Sequence, residues 1–515
     1  MTFRSPGRTS LAAALALATA LTGAACGGGD DEGQASDTIT MMAPLFATAP
    51  NPDGEMQQAI QKLIGKKLDI TWVPNADYGD KTNVTLASGN IPQVMVIQAD
   101  KGPSFLQAAR AGAFWDLTGK LDRYPNLKPA DPQTGRNATV NGKTYGIYRV
   151  RPLLRSAVVI RKDWLAKVGL PLPESVDDLQ RIAKAFTEQD PDGNGRKDTY
   201  GMILPKWPGF YASSSPYDVI ETWFGAPNGW GQRGGKLVPG FDTEEFLQAN
   251  RWLKQWVDQG LVNPDFATLD TANWNNPFVQ GRGGIIIDVN VRATELTTLF
   301  KQKNPADADK VAMVGNLKRS DGQKFSAPFT GYNGILAISR EKVRSEAELD
   351  QLLQVLDKLQ SKEGSALLTN GIEGRNFKLE DGYAVPLGEN DDAVKVVQND
   401  VDKAFIQLGT RASVGLGAYP PKPVDEPSRK LIALRDTLMA EDLKTAVHNP
   451  SLPVVADSYI KRGQTLDPII PDARVKYLSG AIDENGLRAE IRRWHDSGGA
   501  EVATEVGELV AKLGN

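Results

Sequence analysis

The chain has 515 residues, 41% apolar and 24% charged, enough for two large domains or about three average ones and too apolar to be disordered throughout. With 59 Lys+Arg against 63 Asp+Glu, the net charge of -4 gives no general attraction to nucleic acid. The only histidines, His448 and His495, and the only cysteine, Cys26, exclude an internal disulfide, a Cys-rich zinc site and a multi-histidine metal centre.

The predicted elements begin with a leader. Arg4 and Arg8 precede an apolar run from Leu11 to Leu21, too short to span a bilayer, and the small residues TGAA follow. Residues 1–25 therefore read as a secretory signal peptide, and Cys26 directly after it resembles the lipobox cysteine of bacterial lipoproteins. Gly23 departs from the Leu or Val usual there, and a soluble secreted protein with a leftover thiol is the alternative. Residues 26–38, GGGDDEGQASDT after the cysteine, read as a lipidated flexible tether. Lipid would be the only membrane anchor, because no later apolar run is long enough. Loss of residues 1–25 removes two arginines and no acid, so the mature chain is more acidic.

An α/β pattern follows. Ile39 to Phe46, Leu68 to Val73 and Pro92 to Ile97 read as strands, with helices from Glu55 to Leu63 and from Lys81 to Ser88 between them. That alternation implies parallel strands joined by crossover helices. Ser156 to Ile160 is another strand, and Ser175 caps a helix carrying Val176, Leu179, Ile182 and Phe186. Asp242 with Glu245 is expected to form a capping box. Gly284 to Asp288, Val311 to Val314 and Ile335 to Ile338 are strands, and Leu349 to Leu359 is an amphipathic helix. Two lobes facing across a cleft are the expected architecture, since open α/β sheets place ligands outside the carboxyl ends of their strands.

The clearest local chemistry is Asp190-Pro-Asp192-Gly-Asn194-Gly195-Arg196-Lys-Asp198. Side-chain oxygens fall at positions 1, 3, 5 and 9 of an EF-hand-type loop, the turn glycine is Gly195, and the Arg196 carbonyl stands at position 7. Calcium in a structural role is the expectation; the alternative is an acidic surface turn. Position 12 is Gly201 rather than a bidentate Glu. There is no GxSxG elbow, HExxH or phosphate loop, and each histidine reads as structural, so nothing favours an enzyme.

Aromatic residues crowd into a Gly/Pro/Ser-rich stretch: Trp207, Phe210, Tyr211, Tyr217, Trp223, Phe224 and Trp230. Trp274 with Asn275 and Asn276, and Tyr332 with Asn333, form two further groups. Sugar rings stack C–H faces on aromatic planes while amides bind their hydroxyls, so a carbohydrate cleft is expected. The alternative is that these rings plug the core beneath long loops.

Together these residues resemble the extracellular solute-binding lipoproteins of bacterial ABC importers, in particular the long oligosaccharide-binding branch. The matching pieces are GKTYGIYRV (142–150), RKDWLAKVGLPLP (161–173), the DPDGNGRKDTYG loop, WFGAPNGW (223–230), GLVNPDF (260–266), FVQGRGGIIID (278–288), GIEGRNFKLEDG (371–382) and DARVKYLSG (472–480). A Trp-x3-Gly-Gly pattern at Trp494, Gly498 and Gly499 adds little.

The resemblance implies an α/β fold of the periplasmic-binding-protein type II, two lobes on a hinge with the ligand cleft between them. One lobe would take about 36–151 plus 327–400, the other about 152–326 plus 401–515 with the calcium loop. It further implies a monomer that captures a sugar or oligosaccharide and delivers it to ABC permease subunits, held outside the cytoplasm by lipid alone and performing no catalysis. The chain departs from the family in Arg149, Arg151 and Arg155, which could select an acidic sugar such as a uronate oligomer. Pairing of these arginines with Asp or Glu is the alternative. A polysaccharide-recognising or polysaccharide-active lipoprotein uncoupled from transport, and a binding protein for a peptide or other solute, remain the competing readings.

Overall fold

Val94 to Ile97, four apolar residues without a polar break, have the composition of a strand covered on both faces, and all four are fully buried. They form β3 of a five-stranded sheet that also holds β1 (Thr38–Leu45), β2 (Lys67–Pro74), β4 (Ile147–Val150) and a late strand. The computed structural model describes residues 37–513 except 130, 210–213, 389, 412–417 and 424. The expected signal peptide, Cys26, most of the tether, Phe210 and Tyr211 lie outside the described residues.

A second sheet contains β5 (Ser156–Arg161) and β6 (Tyr200–Met202). After the hairpin of β7 (Trp230–Arg233) and β8 (Lys236–Pro239), that sheet is completed by β9 (Gly283–Val289) and β10 (Val311–Val314), in the order β10-β5-β9-β6. The late strand of the first sheet is β11 (Tyr332–Ile338), giving the order β2-β1-β3-β11-β4. β1 pairs parallel with β2 and β3, as the strand–helix alternation predicts, whereas β11 is antiparallel to both its neighbours.

Each sheet has its own core. The first draws on residues from Ile39 to Tyr148 and again from Tyr332 to Leu408, plus Val455. The second and an adjoining cluster draw on residues from Ala157 to Ala327 and from Leu431 to Val506. The chain passes between them where β4 ends at Val150 and β5 begins at Ser156, so Arg151 to Arg155 form a crossing segment.

Helix starts show how local chemistry sets the frame. Ser175 and Asp178 form a reciprocal capping box on the helix Val176–Glu188. The expected box at Asp242 is not formed: Thr243 caps the helix Glu244–Asp258, while Asp242 bonds the His495 ring at 2.9 Å. A partner from the C-terminal segment, invisible to local pattern, claims that carboxylate.

Candidate functional site

Strand register gathers the functional edge. Tyr332 is paired with Val150, and Ile335 with Ile97, so the end of β3, the start of β11 and the end of β4 share one edge. In the second sheet Ser156 is paired with Val289, which brings the start of β5 and the end of β9 together. Arg149, Arg151 and Arg155 therefore run along the passage between the sheets, beside Asn333 on one side and Asp288 on the other.

Arg149 is buried, and its partners among the described residues are neutral. Its guanidinium donates to the Gly409 carbonyl at 3.4 Å, the Asn333 carbonyl at 3.3 Å and Gln407 Oε1 at 2.9 Å. Arg151 donates to the Val150 carbonyl at 2.9 Å. The Arg155 guanidinium lies 4.8 Å from the centre of the Phe329 ring, and its buried Nε has no hydrogen-bond partner. Among the described residues none of the three makes an ion pair with a carboxylate within 4.0 Å. Burial pushes Arg149 down to about 10, and burial with repulsion from Arg149 and Arg155 does the same to Arg151. Arg149 and Arg151 remain charged near neutral pH, and burial lowers Arg155 against the pull of Asp288.

Among the described residues the acid that acts on Arg155 is Asp288, and it is already engaged. Its Oδ2 accepts from Arg292 Nε at 2.6 Å, while Arg292 also donates to Asn275 Oδ1 at 2.5 Å and stacks 4.6 Å from the Trp274 ring centre. Burial raises the Asp288 carboxyl and Arg292 opposes that shift. Arg292 is a fourth guanidinium at this edge that sequence reasoning missed. It lies in a helix 137 residues beyond Arg155.

The aromatic expectation needs correction. Tyr217, Trp223 and Trp274 are each about 1% exposed, and the two indoles spend their N–H groups inside the core. Trp223 donates to Asn316 Oδ1 at 2.8 Å and Trp274 to the Ile203 carbonyl at 3.0 Å. Tyr217 and Trp223 lie in the helix Pro216–Trp223, every residue of which is buried, and Trp274 caps the short helix Asn275–Val279. Tyr332 is buried too, its hydroxyl donating to Asp100 Oδ2 at 2.8 Å. Phe224 packs on Trp252, Trp207 is half-buried, and Asn333 is exposed. Asn275 donates to Glu295 at 2.8 Å and Asn276 to Asn273 at 3.2 Å. Trp230 lines a separate cavity, together with Trp494.

In the acidic loop, Asp190 accepts the N–H groups of Gly193, Asn194 and Gly195 at 3.0 to 3.1 Å, and the Gly195 N–H in particular holds its carboxyl low. Asn194 Nδ2 donates to Asp192 at 2.7 Å and to Asp198 at 3.1 Å, and the Asn194 Oδ1 accepts from the Arg196 N–H. Burial and then Asp190 raise Asp192, as expected for carboxylates held near each other. Among the described residues no three acidic, imidazole or thiol side chains converge to hold a metal. A cation would therefore also draw on the oxygens of Asn194 and Arg196, a donor set whose hard-oxygen chemistry fits calcium. The missing twelfth-position Glu has a physical reason. Gly201 in β6 presses on Ala183, and a Cβ there would stand 2.5 Å from the alanine methyl.

These features have counterparts. Residues 49–366 match the family model of bacterial extracellular solute-binding proteins. Lipoprotein LipO of Bacillus subtilis is 39% identical over 477 residues, 92% of each chain. The polygalacturonan/rhamnogalacturonan-binding protein YtcQ of the same organism is 33% identical over 470 residues, 91% of this chain and 90% of that one. An extracellular solute-binding protein from Bifidobacterium longum subsp. infantis superposes with a TM-score of 0.71 at 17% identity, covering 92% of this chain and 98% of that one. The alginate-binding protein AlgQ2, solved without calcium ion, gives 0.66 at 17% identity over 93% and 99%. The fold is thus the two-lobed α/β architecture of periplasmic solute-binding proteins, and the chain belongs to the bacterial extracellular solute-binding protein family.

Proposed function

We propose that this protein captures an acidic sugar or short uronate-bearing oligosaccharide outside the cytoplasm, without covalent change, and delivers it to the permease subunits of an ABC importer. The observation that carries this reading is the set of three arginines, Arg149, Arg151 and Arg155, desolvated together with no carboxylate within ion-pair distance among the described residues. Guanidinium forks match carboxylates bidentately, and a carboxylated ligand would supply the missing counter-charge. The names of YtcQ and AlgQ2 point to the same class of ligand. Arg292, Asn333 and half-buried Trp207 are the further contacts on this reading; Arg149, which already ties β4 to the Gly409 segment, positions the wall. The lobes divide near 151/152, 326/327 and 400/401, and the ligand closes them about those crossings. The deciding experiment is calorimetry of the mature protein with galacturonate or alginate oligomers against neutral oligosaccharides of equal length. Tight binding of neutral oligomers alone would overturn the acidic reading, and turnover of the oligomer would overturn the binding role.

The anchor is proposed to be lipid on Cys26, in keeping with the lipoprotein LipO. No helix among the described residues is long and apolar enough to cross a membrane. Cys26→Ala is expected to move the protein from the membrane fraction to the soluble extracytoplasmic fraction, since two acyl chains hold stably where none can. Full membrane retention after a salt wash would contradict it.

Calcium in the 190–201 loop is proposed as structural. Chelation should lower the melting temperature by a few degrees, calcium should restore it better than magnesium, and Asp192→Ala should remove the difference. A melting curve indifferent to chelator would leave the loop an acidic turn.

A further inference from the structure

Arg474 lies in the segment DARVKYLSG, a motif that neither the arginine wall nor the calcium loop uses. It sits in the helix Ile469–Leu478 and is buried. Asp218 and Glu221, three residues apart on one face of the helix Pro216–Trp223, meet it there. Arg474 Nη2 lies 2.6 Å from Glu221 Oε1, and Nη1 lies 3.5 Å from Asp218 Oδ1. Asn250 Nδ2 donates to Glu221 Oε1 at 2.9 Å, and the rings of Tyr217 and Phe246 flank the guanidinium, each centred 5.6 Å away. A charge cluster buried this deeply contributes little to stability on balance, because desolvation offsets the attraction.

Its reach lies elsewhere, at Nη1, which also donates to the Pro208 carbonyl 266 residues away in sequence. Pro208 has a fixed φ and restricts the residue before it to extended backbone, so holding its carbonyl also holds Trp207. The Trp207 carbonyl itself accepts from the Ser215 hydroxyl at 2.8 Å, and the Lys206 N–H donates to the Leu269 carbonyl at 2.7 Å. Gly209 fits the segment onto the cluster: its φ is 79°, and a Cβ there would stand 2.2 Å from Asp218 Oδ1. The half-buried Trp207 ring packs against the hydrophobic cluster that contains Trp274, on whose ring Arg292 stacks. The indole thus borders the same cluster as the guanidinium edge.

Glu221 makes this seat titratable. Burial pushes its carboxyl up to about 7, opposed by Arg474 and reinforced by Asp218. The groups acting on it are Arg474, Asp218 of its own helix and the neutral Asn250 of the helix Glu244–Asp258. β9 also packs on the helix Pro216–Trp223, and its one charged residue, Asp288, is held by Arg292. A cavity of about 30 Å³, lined by Gly209, Asp218, Glu221 and Arg474 among others, has room for a water that would carry a proton to the carboxyl.

We propose that Arg474 is a positioning residue for ligand capture: with ionised Glu221 and Asp218 behind it, it holds Pro208 and sets the Trp207 ring against the sugar. Protonation of Glu221 removes the closer of its two anchors and loosens that seat. The inference rests on the reading of Trp207 as a ligand contact.

Two measurements on the mature protein test it. One is calorimetry with a galacturonate oligomer; the other is fluorine NMR after fluorotryptophan labelling, with resonances assigned from their loss in Trp207→Phe and Trp115→Phe. Arg474→Lys keeps the charge but not the planar fork. It is expected to weaken oligomer binding about tenfold and to move or broaden the Trp207 resonance, while that of Trp115, in the first core, stays in place. Glu221→Gln, close in shape, decides the matter should Arg474→Lys fail to fold. Wild-type affinity should fall severalfold from about pH 8 to about pH 5.5, and Glu221→Gln should bind at the weaker level across that range. Neither the uronate nor Arg149 and Arg151 changes charge there. Unchanged affinity in both variants, weaker binding with the Trp207 resonance unmoved, or a pH profile shared by Glu221→Gln and the wild type would overturn the positioning role. If the wild type binds no galacturonate oligomer, the acidic-sugar reading falls, and the Trp207 resonance still reports whether Arg474 seats the ring.

Discussion

Arg151→Gln should weaken binding of a uronate oligomer about ten- to hundredfold while leaving the ligand-free protein as stable as before, or slightly more so. A hydrogen bond to a charged partner contributes about 1.5–3 kcal/mol, and every 1.4 kcal/mol is about a factor of ten in affinity. Stability should not suffer, because Arg151 holds only the carbonyl of its own neighbour, Val150, and feels Arg149 and Arg155 as like charges. Arg151→Lys should recover only part of the loss, since a point charge cannot replace a planar fork. Calorimetry at low and moderate salt with melting curves checks both halves. Unchanged uronate affinity together with a lower melting temperature would make the arginine structural.

Trp274→Ala should unfold the protein more readily, by about 3–5 kcal/mol, rather than act mainly on ligand affinity. The ring is fully buried, its N–H reaches the Ile203 carbonyl, and Arg292 stacks on its face. Removing it opens a cavity, leaves a carbonyl unpaired and frees the guanidinium that Asp288 and Asn275 also hold. Trp223→Phe isolates the polar part. The ring is kept, but Asn316 Oδ1 loses its donor, at a cost of about 1–3 kcal/mol. Denaturant unfolding gives both values. A Trp274→Ala protein as stable as the wild type that binds sugar poorly would return this ring to the ligand wall.

Sequence by itself determined the alternating strands and helices, because buried parallel strands and amphipathic helices write their periodicity locally. The runs around Met41, Val94 and Ile286 and the Ser175 cap needed no distant partner. It also determined the acidic loop, whose residues are consecutive, and the family, whose segments lie in order. Tertiary structure alone decided which aromatic residues are core, since Trp223 and Trp274 have the same loop-like neighbours as an exposed ring would. It alone set Gly201 against Ala183, gave Asp242 to His495, and placed Asp288 with its partner Arg292 opposite Arg155. Burial, charge pairing and close approach depend on residues distant in the chain, and local composition carries no record of them.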